Sequence, residues 1–223
     1  MPAPEIPSKV TVIDHPLARV KLTTLRDRRT GSGEFRARAA ELGALLVFEA
    51  TRDLGTLPDP VQTPLATHRG AKLARPVVIV PILRAGLGML QGMLPLIPEA
   101  GVGHIGMRRD EKTHLPDCYY FNMPPDLSGA DVIVVDPMLA TGGSAIGAIA
   151  KLKAAGAERI RFVCFVSCPE GLARMAEMHP DVRVFTVEVD AALDERAYIV
   201  PGLGDAGDRY FGTVPPVRSD AEQ

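Results

Sequence analysis

The sequence predicts an α/β fold, with a mostly parallel sheet that is covered by helices on both faces. Apolar segments of strand length alternate with helical patterns along the chain, and this order is typical of parallel sheets. Residues 132–135 are continuously apolar, as expected of a strand that is buried on both faces. The hydrophobic fraction of 46% and the charged fraction of 23%, in 223 residues, fit a globular protein with a sizeable core.

The order of the elements follows from the hydrophobic spacing. Residues 34–53 predict a helix, because Phe35, Ala39, Leu42 and Leu46 recur at helical intervals. Segment 57–75 has no clear period and predicts a hairpin or a loop. Segment 108–116 carries six charges if its histidine is protonated, and predicts a mobile loop. Further strands are expected at 77–81, 104–107, 119–123, 131–135, 161–166 and 182–189, and further helices after residue 86 up to 96, from 145 to about 156, and at 169–178.

The bulk composition narrows the class of protein. A net charge of −2 argues against broad electrostatic binding of nucleic acid. Three cysteines are too few for a disulfide framework and predict a reducing, cytoplasmic setting. The chain has no apolar run long enough to cross a membrane, and residues 1–7 do not resemble a signal peptide. We expect one domain over 14–213, with flexible tails at 1–13 and 214–223.

The strongest functional pattern is a strand followed by an acid, a turn and a helix. Asp136 comes where the strand at 131–135 should end, and the small residues 140–144 then open a helix. The carboxylate can accept hydrogen bonds from hydroxyls, while free backbone N–H groups at a helix start can bind a phosphate. The pattern therefore predicts a site for a phosphorylated sugar at the carboxyl edge of the sheet. The alternative is a tight turn in which Thr141 or Ser144 caps the helix.

Two further features are candidates for ligand contacts. Arg84 follows a buried strand beside Gly86, so it could bind a phosphate with two N–H groups, although a surface role is the alternative. The loop 198–208 is rich in glycine and proline and would expose backbone groups to a flat polar ring, or it is simply a turn. The windows 101–106 and 202–207 match Gly-x-Gly-x-x-Gly, but neither opens a long helix after a strand, which argues against a dinucleotide fold.

Four segments in order resemble the type I phosphoribosyltransferases: 81–89, 106–111, 134–144 and 198–212. Most of that class carries two adjacent acids in the third segment. Here the second position is Pro137, which is similar to the uracil phosphoribosyltransferase branch. The resemblance covers about residues 14–213 and implies a sheet core with a C-terminal hood, including about 182–213, that holds the base.

The resemblance also implies the reaction, in which the phosphoribosyl group of 5-phospho-α-D-ribose 1-diphosphate (PRPP) passes to uracil. The products are UMP and diphosphate, in pyrimidine salvage with Mg²⁺. As catalytic residues, Asp136 would take the ribose hydroxyls, Arg84 and Arg109 would hold diphosphate oxygens, and Asp205 would face the sugar and diphosphate. These four would bind PRPP together with Pro137, Met138, Leu139, Ala140, Thr141, Gly142, Gly143 and Ser144, the last four around the 5′-phosphate. Uracil would be bound by Ile199, Gly204, Asp205 and Ala206, mainly through backbone groups.

The partners implied are uracil and PRPP, with GTP as a candidate effector and a homo-oligomer of two or more subunits. Mg²⁺ would be held mainly through PRPP, with Asp205 as the candidate protein ligand. One rival hypothesis is a nucleotide-sensing regulator that binds RNA, which would need a clustered basic face. Another is the same chemistry on a purine or on orotate. Orotate would require an extra cation, whereas the loop 202–208 offers acids.

Overall fold

A computed structural model describes residues 7–109 and 116–213 of the chain. Residues 110–115 of the predicted loop, residues 1–6 of the first predicted tail and the whole of the second predicted tail (214–223) lie outside the described residues. The helices are α1 (Pro16–Arg26), α2 (Ser32–Ala50), α3 (Leu87–Met93), α4 (Gly143–Ala154), α5 (Pro169–Met178) and α6 (Ala206–Phe211). The strands are β1 (Val10–Val12), β2 (Thr56–Gln62), β3 (Thr67–Leu73), β4 (Val77–Leu83), β5 (Gly101–Val102), β6 (His104–Arg109), β7 (Pro116–Asn122), β8 (Asp131–Val135), β9 (Met138–Leu139), β10 (Arg159–Val163), β11 (Val166–Ser167), β12 (Arg183–Thr186), β13 (Glu188–Val189), β14 (Ala192–Leu193) and β15 (Ile199–Val200).

The central sheet has the strand order β1-β12-β10-β8-β4-β6-β7, and β5 also pairs with β4. Its pairs are parallel except for β6 with β7. The predicted mostly parallel α/β sheet is therefore confirmed. Val135 of β8 lies in register with Pro81 of β4 and with Val163 of β10, so β8 and β10 end together and β4 continues for two more residues. Residues that follow them share one edge of the sheet.

Two apolar layers cover the two faces of the sheet. Alternate side chains of β8 divide between them: Ile133 and Val135 join one core cluster, and Val132 and Val134 join the other. All five residues of β8 are buried, which explains the continuous apolar run in the sequence. The first cluster packs the sheet against α1, α2, α3 and α6, and the second packs it against α4 and α5.

The predicted helices and strands are mostly present, with shifted ends. Segment 57–75 forms the antiparallel hairpin of β2 and β3. The helix expected to reach residue 96 ends at Met93, and the charged segment 108–116 contributes residues to β6 and β7 at both of its ends. No helix among the described residues is long and apolar enough to span a membrane.

Two predicted strands are each interrupted and continue in a second, small sheet. The strand expected at 161–166 divides into β10 and β11, and that at 182–189 into β12 and β13. The small parallel sheet has the order β13-β11-β9. The interruption occurs beside Pro137, which has no N–H to donate to a ladder. Its carbonyl instead accepts from the N–H groups of Phe165 and Val166, at 2.9 and 3.2 Å.

Candidate active site

The carboxyl edge of the central sheet brings together two of the predicted site residues. Arg84 directly follows β4, and Asp136 directly follows the neighbouring strand β8. The chain after β4 passes very close to β8, because a Cβ atom added at Gly86 would lie 2.5 Å from the carbonyl oxygen of Val135. A glycine is therefore required where the backbone turns away from the sheet.

The carboxylate of Asp136 lies in an unusual electrostatic environment. Burial raises its pKa to about 7, with a smaller contribution from the nearby charge of Asp205 and against a hydrogen bond from the Met138 N–H at 3.3 Å. The backbone of Asp136 is fixed by an N–H donated to the carbonyl of Val163, at 3.2 Å. The Asp136 side chain is thus held at the strand end. Additional hydrogen-bond donors would stabilise the ionised form of its carboxylate.

The turn after β9 leaves the start of α4 free for an anion. The helix N-cap is Gly142, with φ of +79°, and no side chain of the described residues caps the helix. The alternative in which Thr141 or Ser144 serves as the N-cap is therefore wrong. The first N–H groups of a helix have no partner within it, and no side chain in 7–109 or 116–213 caps those of α4. The turn can hold a phosphate through its backbone.

Helix α5 supports this turn from behind, which the sequence did not indicate. Arg174 donates to the carbonyl of Thr141 at 2.6 Å, and the Cys168 thiol lies 3.2 Å from the carbonyl of Ala140. A Cβ atom added at Gly171 would lie only 2.2 Å from the same Ala140 oxygen. The helix and the turn are thus in direct backbone contact. A glycine inside an otherwise amphipathic helix was the available signal, and alone it does not identify its partner.

The second predicted loop includes β15, which pairs with β14 in antiparallel fashion. Gly202 and Gly204 have φ values of +60° and +70°, in the left-handed region that disfavours other residues. A Cβ atom at Gly202 would lie 2.0 Å from the carbonyl oxygen of Ile199. The side chains of Ile199 and Ala206 belong to the hydrophobic core, so packing fixes both ends of the loop. We call residues 199–206 the base loop.

Helix α6 begins where the base loop ends. Asp205 is its N-cap and accepts the N–H of Asp208 at 2.9 Å. The guanidinium of Arg84 lies 3.3 Å from the Asp208 carboxylate and 5.6 Å from the ring centroid of Phe211. Since 59% of the Arg84 side chain is exposed, this ion pair is weak and another anion can replace it. Asp208 is a site neighbour that the sequence analysis did not single out.

The structure thus places Asp136, Arg84, the turn 141–144 and the base loop around one edge of the sheet. Arg109 is the last residue of β6, and its side chain lies outside the described residues. The family model described as "Uracil phosphoribosyltransferase" matches residues 12–213. The chain belongs to the uracil phosphoribosyltransferase family.

Curated uracil phosphoribosyltransferases resemble the chain over almost their full lengths. The protein of that name from Alkaliphilus oremlandii is 54% identical over 207 residues, which is 92% of this chain and 99% of the relative. The one from Clostridium acetobutylicum is 53% identical with the same coverage. The resemblance stated from the four sequence segments is therefore confirmed.

Solved structures support the fold. The AQ2163 protein from Aquifex aeolicus superposes with a TM-score of 0.86 at 38% identity, covering 91% of this chain and 97% of that one. An adenine phosphoribosyltransferase from Leishmania donovani gives a TM-score of 0.57 at 16% identity, covering 86% and 89%, which shows a shared fold alone. The predicted phosphoribosyltransferase-like fold class is confirmed.

The donor set of this uracil phosphoribosyltransferase family member fits a metal that is bound mostly through substrate. The described residues contain no group of three or more His, Cys, Asp or Glu side chains that could hold a metal ion. Mg²⁺ usually keeps several waters and takes one or two carboxylates together with phosphate oxygens. Asp205 is exposed at the site and close enough to Asp136 to raise its pKa, so it can supply one such carboxylate.

Proposed function

We propose that this protein transfers the phosphoribosyl group of PRPP to uracil, forming UMP and diphosphate in pyrimidine salvage. One observation carries the proposal. A carboxylate, an uncapped helix start and a glycine loop with rigid ends meet at one sheet edge, in a chain of the uracil phosphoribosyltransferase family. These three parts match the ribose, the 5′-phosphate and the base of the expected product.

The sugar phosphate would bind at the turn and at the acid beside it. The free N–H groups of residues 141–144 hold the 5′-phosphate without a lysine, helped by the positive end of the α4 dipole. Asp136 accepts hydrogen bonds from the ribose hydroxyls, and these donors stabilise its ionised form. Residues 137–140 complete this side of the site and are held by α5.

Bond breaking at C1 of the ribose sends negative charge to the diphosphate. Nitrogen N1 of uracil attacks C1 and loses its proton, the C1–O bond breaks, and diphosphate leaves. Arg84 and Arg109 stabilise the leaving group, and Arg84 exchanges Asp208 for the diphosphate oxygens. Mg²⁺, when bound through PRPP and Asp205, supplies further charge neutralisation.

Uracil would be recognised by backbone atoms of the base loop. The ring presents an N–H donor between two carbonyl acceptors, and the backbone of Ile199, Gly204 and Ala206 offers both kinds of partner. Asp205 would lie between the base and the sugar. The carboxylate of orotate would be repelled by Asp205 and Asp208, and this favours uracil over orotate.

The remaining assignments rest on the family and on a few surface features. We propose one domain over 14–213 with a hood at about 182–213, a cytoplasmic location and GTP as a candidate effector. Three described cysteines are all free, in keeping with a reducing compartment. Leu17, Val20 and Phe48 are 55%, 64% and 61% exposed, which supports burial against another subunit in a homo-oligomer.

The deciding experiment measures product formation from PRPP and Mg²⁺ with uracil, orotate, cytosine or hypoxanthine. We expect UMP and diphosphate from uracil, and much slower or no reaction with the other bases. If uracil yields no UMP, the proposed function is wrong. RNA binding at physiological salt distinguishes the regulator hypothesis, for which a net charge of −2 gives little support.

A further inference from the structure

A buried ion pair lies beneath the base loop. Arg26 is the last residue of α1, and Asp190 lies between β13 and β14. Two guanidinium nitrogens of Arg26 contact the two carboxylate oxygens of Asp190, at 2.6 and 2.8 Å. The Asp190 side chain is 1% exposed and that of Arg26 is 18% exposed. This is a bidentate pair, which fixes orientation as well as distance.

The ion pair holds one residue of the base loop through both of its backbone polar groups. The N–H of Gly202 donates to the Asp190 carboxylate at 2.9 Å, and Arg26 donates to the carbonyl oxygen of Gly202, also at 2.9 Å. Asp190 is itself anchored, because its N–H donates to the carbonyl of Ser167 in β11 at 2.8 Å. The orientation of Gly202 is therefore set by α1 and by the small sheet.

A second arginine holds Leu203, the residue after Gly202, against the end of α1. Arg209 of α6 donates to the carbonyl of Leu203 at 2.7 Å and to that of Asp27 at 2.7 Å, and it also contacts the carbonyl of Leu25. Its guanidinium lies 4.5 Å from the ring centroid of Phe35. Two independent arginines thus connect consecutive base-loop residues to the end of α1.

We propose that Arg26 and Asp190 are positioning residues for the base: they set the base-loop backbone that selects uracil, without touching uracil themselves. The inference rests on the proposed function. When backbone groups bind the base, side-chain rotation cannot correct the geometry of the hydrogen bonds. The orientation of the loop therefore decides that geometry. The bidentate pair also binds both backbone polar groups of Gly202, three residues before Asp205, and Arg26 contacts the exposed carboxylate of Glu188 as well, at 3.2 Å. Loosening it affects uracil more than PRPP, whose phosphate turn is held separately by α5.

The test compares this ion pair with a matched pair at the opposite edge of the sheet. Arg161 and Asp131 are also in contact, at 3.0 Å, and their side chains are 11% and 8% exposed. We would measure kcat and both KM values for Arg26→Met and Asp190→Asn, and for Arg161→Met and Asp131→Asn as controls. We expect the KM for uracil to rise about tenfold or more in the first two, with the KM for PRPP changed less than about twofold.

The control variants should lower Tm while both KM values stay within about twofold. Arg26→Lys should give an intermediate KM for uracil, since one ammonium cannot hold Asp190 and Gly202 in the same fork. Equal rises in both KM values, or the same selective rise in the Arg161 and Asp131 variants, would overturn the proposal. If Arg26→Met does not fold, Arg26→Lys and its control Arg161→Lys carry the comparison.

Hydrogen exchange separates this inference from the proposed function. We expect the backbone amides of residues 199–206 to exchange faster in Arg26→Met or Arg26→Lys than in the unsubstituted protein, with little change there in the matched Arg161 variants. Unchanged exchange in that segment would refute the positioning role, whatever the activity. Failure of the unsubstituted protein to make UMP would instead refute the proposed function.

Discussion

Replacing Asp136 with asparagine should make the free protein more stable and a poorer catalyst. Burial raises the pKa of this carboxyl from 3.8 to about 7. The ionised form is therefore disfavoured in the folded state, and ionisation lowers stability as the pH rises from about 4 to about 7. At about 1.4 kcal/mol for each pKa unit, a shift of about 3 units corresponds to at most about 4 kcal/mol.

The gain in stability should be smaller than that limit. Asp136 is partly exposed, so solvent screens some of the cost, and we expect Asp136→Asn to gain about 2 kcal/mol at pH 8. For a chain of this size that is an increase in Tm of about 4–8 °C. At pH 5 the two proteins should differ by much less, since Asp136 is then mostly protonated in the folded state. Turnover should fall about 10–100-fold, because the ribose hydroxyls lose a charged acceptor.

The assay is thermal unfolding of both proteins without ligand between pH 5 and pH 8, together with steady-state rates for uracil and PRPP. Asp126→Asn is the opposite control, because hydrogen bonds from Ser128 lower the pKa of this exposed carboxyl. The difference in Tm between Asp126→Asn and the unsubstituted protein should not increase from pH 5 to pH 8. If Asp136→Asn is less stable at pH 8, or its advantage is the same at pH 5, then the carboxylate is not an unfavourable charge in the free site.

Three further substitutions test the parts of the site. Asp208→Asn frees Arg84 for the diphosphate, so steady-state rates should show the KM for PRPP falling up to about threefold with little change in Tm; a rise would mean that the ion pair positions Arg84. Gly171→Ala would place a Cβ atom only 2.2 Å from the carbonyl oxygen of Ala140, so the phosphate turn would have to shift. The same assay should then show a larger rise in the KM for PRPP than in the KM for uracil. Gly202→Ala, at φ of +60°, should lower Tm by several degrees and raise the KM for uracil selectively; unchanged values would show that the base loop tolerates a Cβ.

The parts of the fold that the sequence predicts well are those with a strong local pattern. The apolar run of β8 is recognisable because both faces of this strand are buried. Helix α5 has the predicted bounds, since Pro169 starts it and its apolar face is regular. Asp136 and Gly142 are apparent because a simple strand-to-helix turn requires neither an acid at the strand end nor paired glycines. Each of these signals lies within about a dozen consecutive residues.

Contacts between distant segments could not be predicted in this way. Arg26 and Asp190 are 164 positions apart, and each alone resembles an ordinary surface charge in the sequence. Gly171 contacts the phosphate turn across a gap of about thirty residues, and nothing local identifies that partner. The interruption of two strands beside Pro137 also depends on backbone pairing between segments, which hydrophobic spacing does not encode.

The two halves of the candidate site are stabilised by different interactions, and this bears on how they should respond to change. The phosphate turn rests on close backbone packing against α5, where Gly171 leaves no room for a side chain, and the one charged hydrogen bond described there comes from the exposed Arg174 to the carbonyl of Thr141. The base loop instead depends on buried charged hydrogen bonds from Arg26 and Arg209. Close packing tolerates a change of charge but not added volume. A buried ion pair is destabilised when either partner is removed alone. Substitutions should therefore separate into those that affect PRPP and those that affect uracil, although both sets of residues lie behind a single sheet edge.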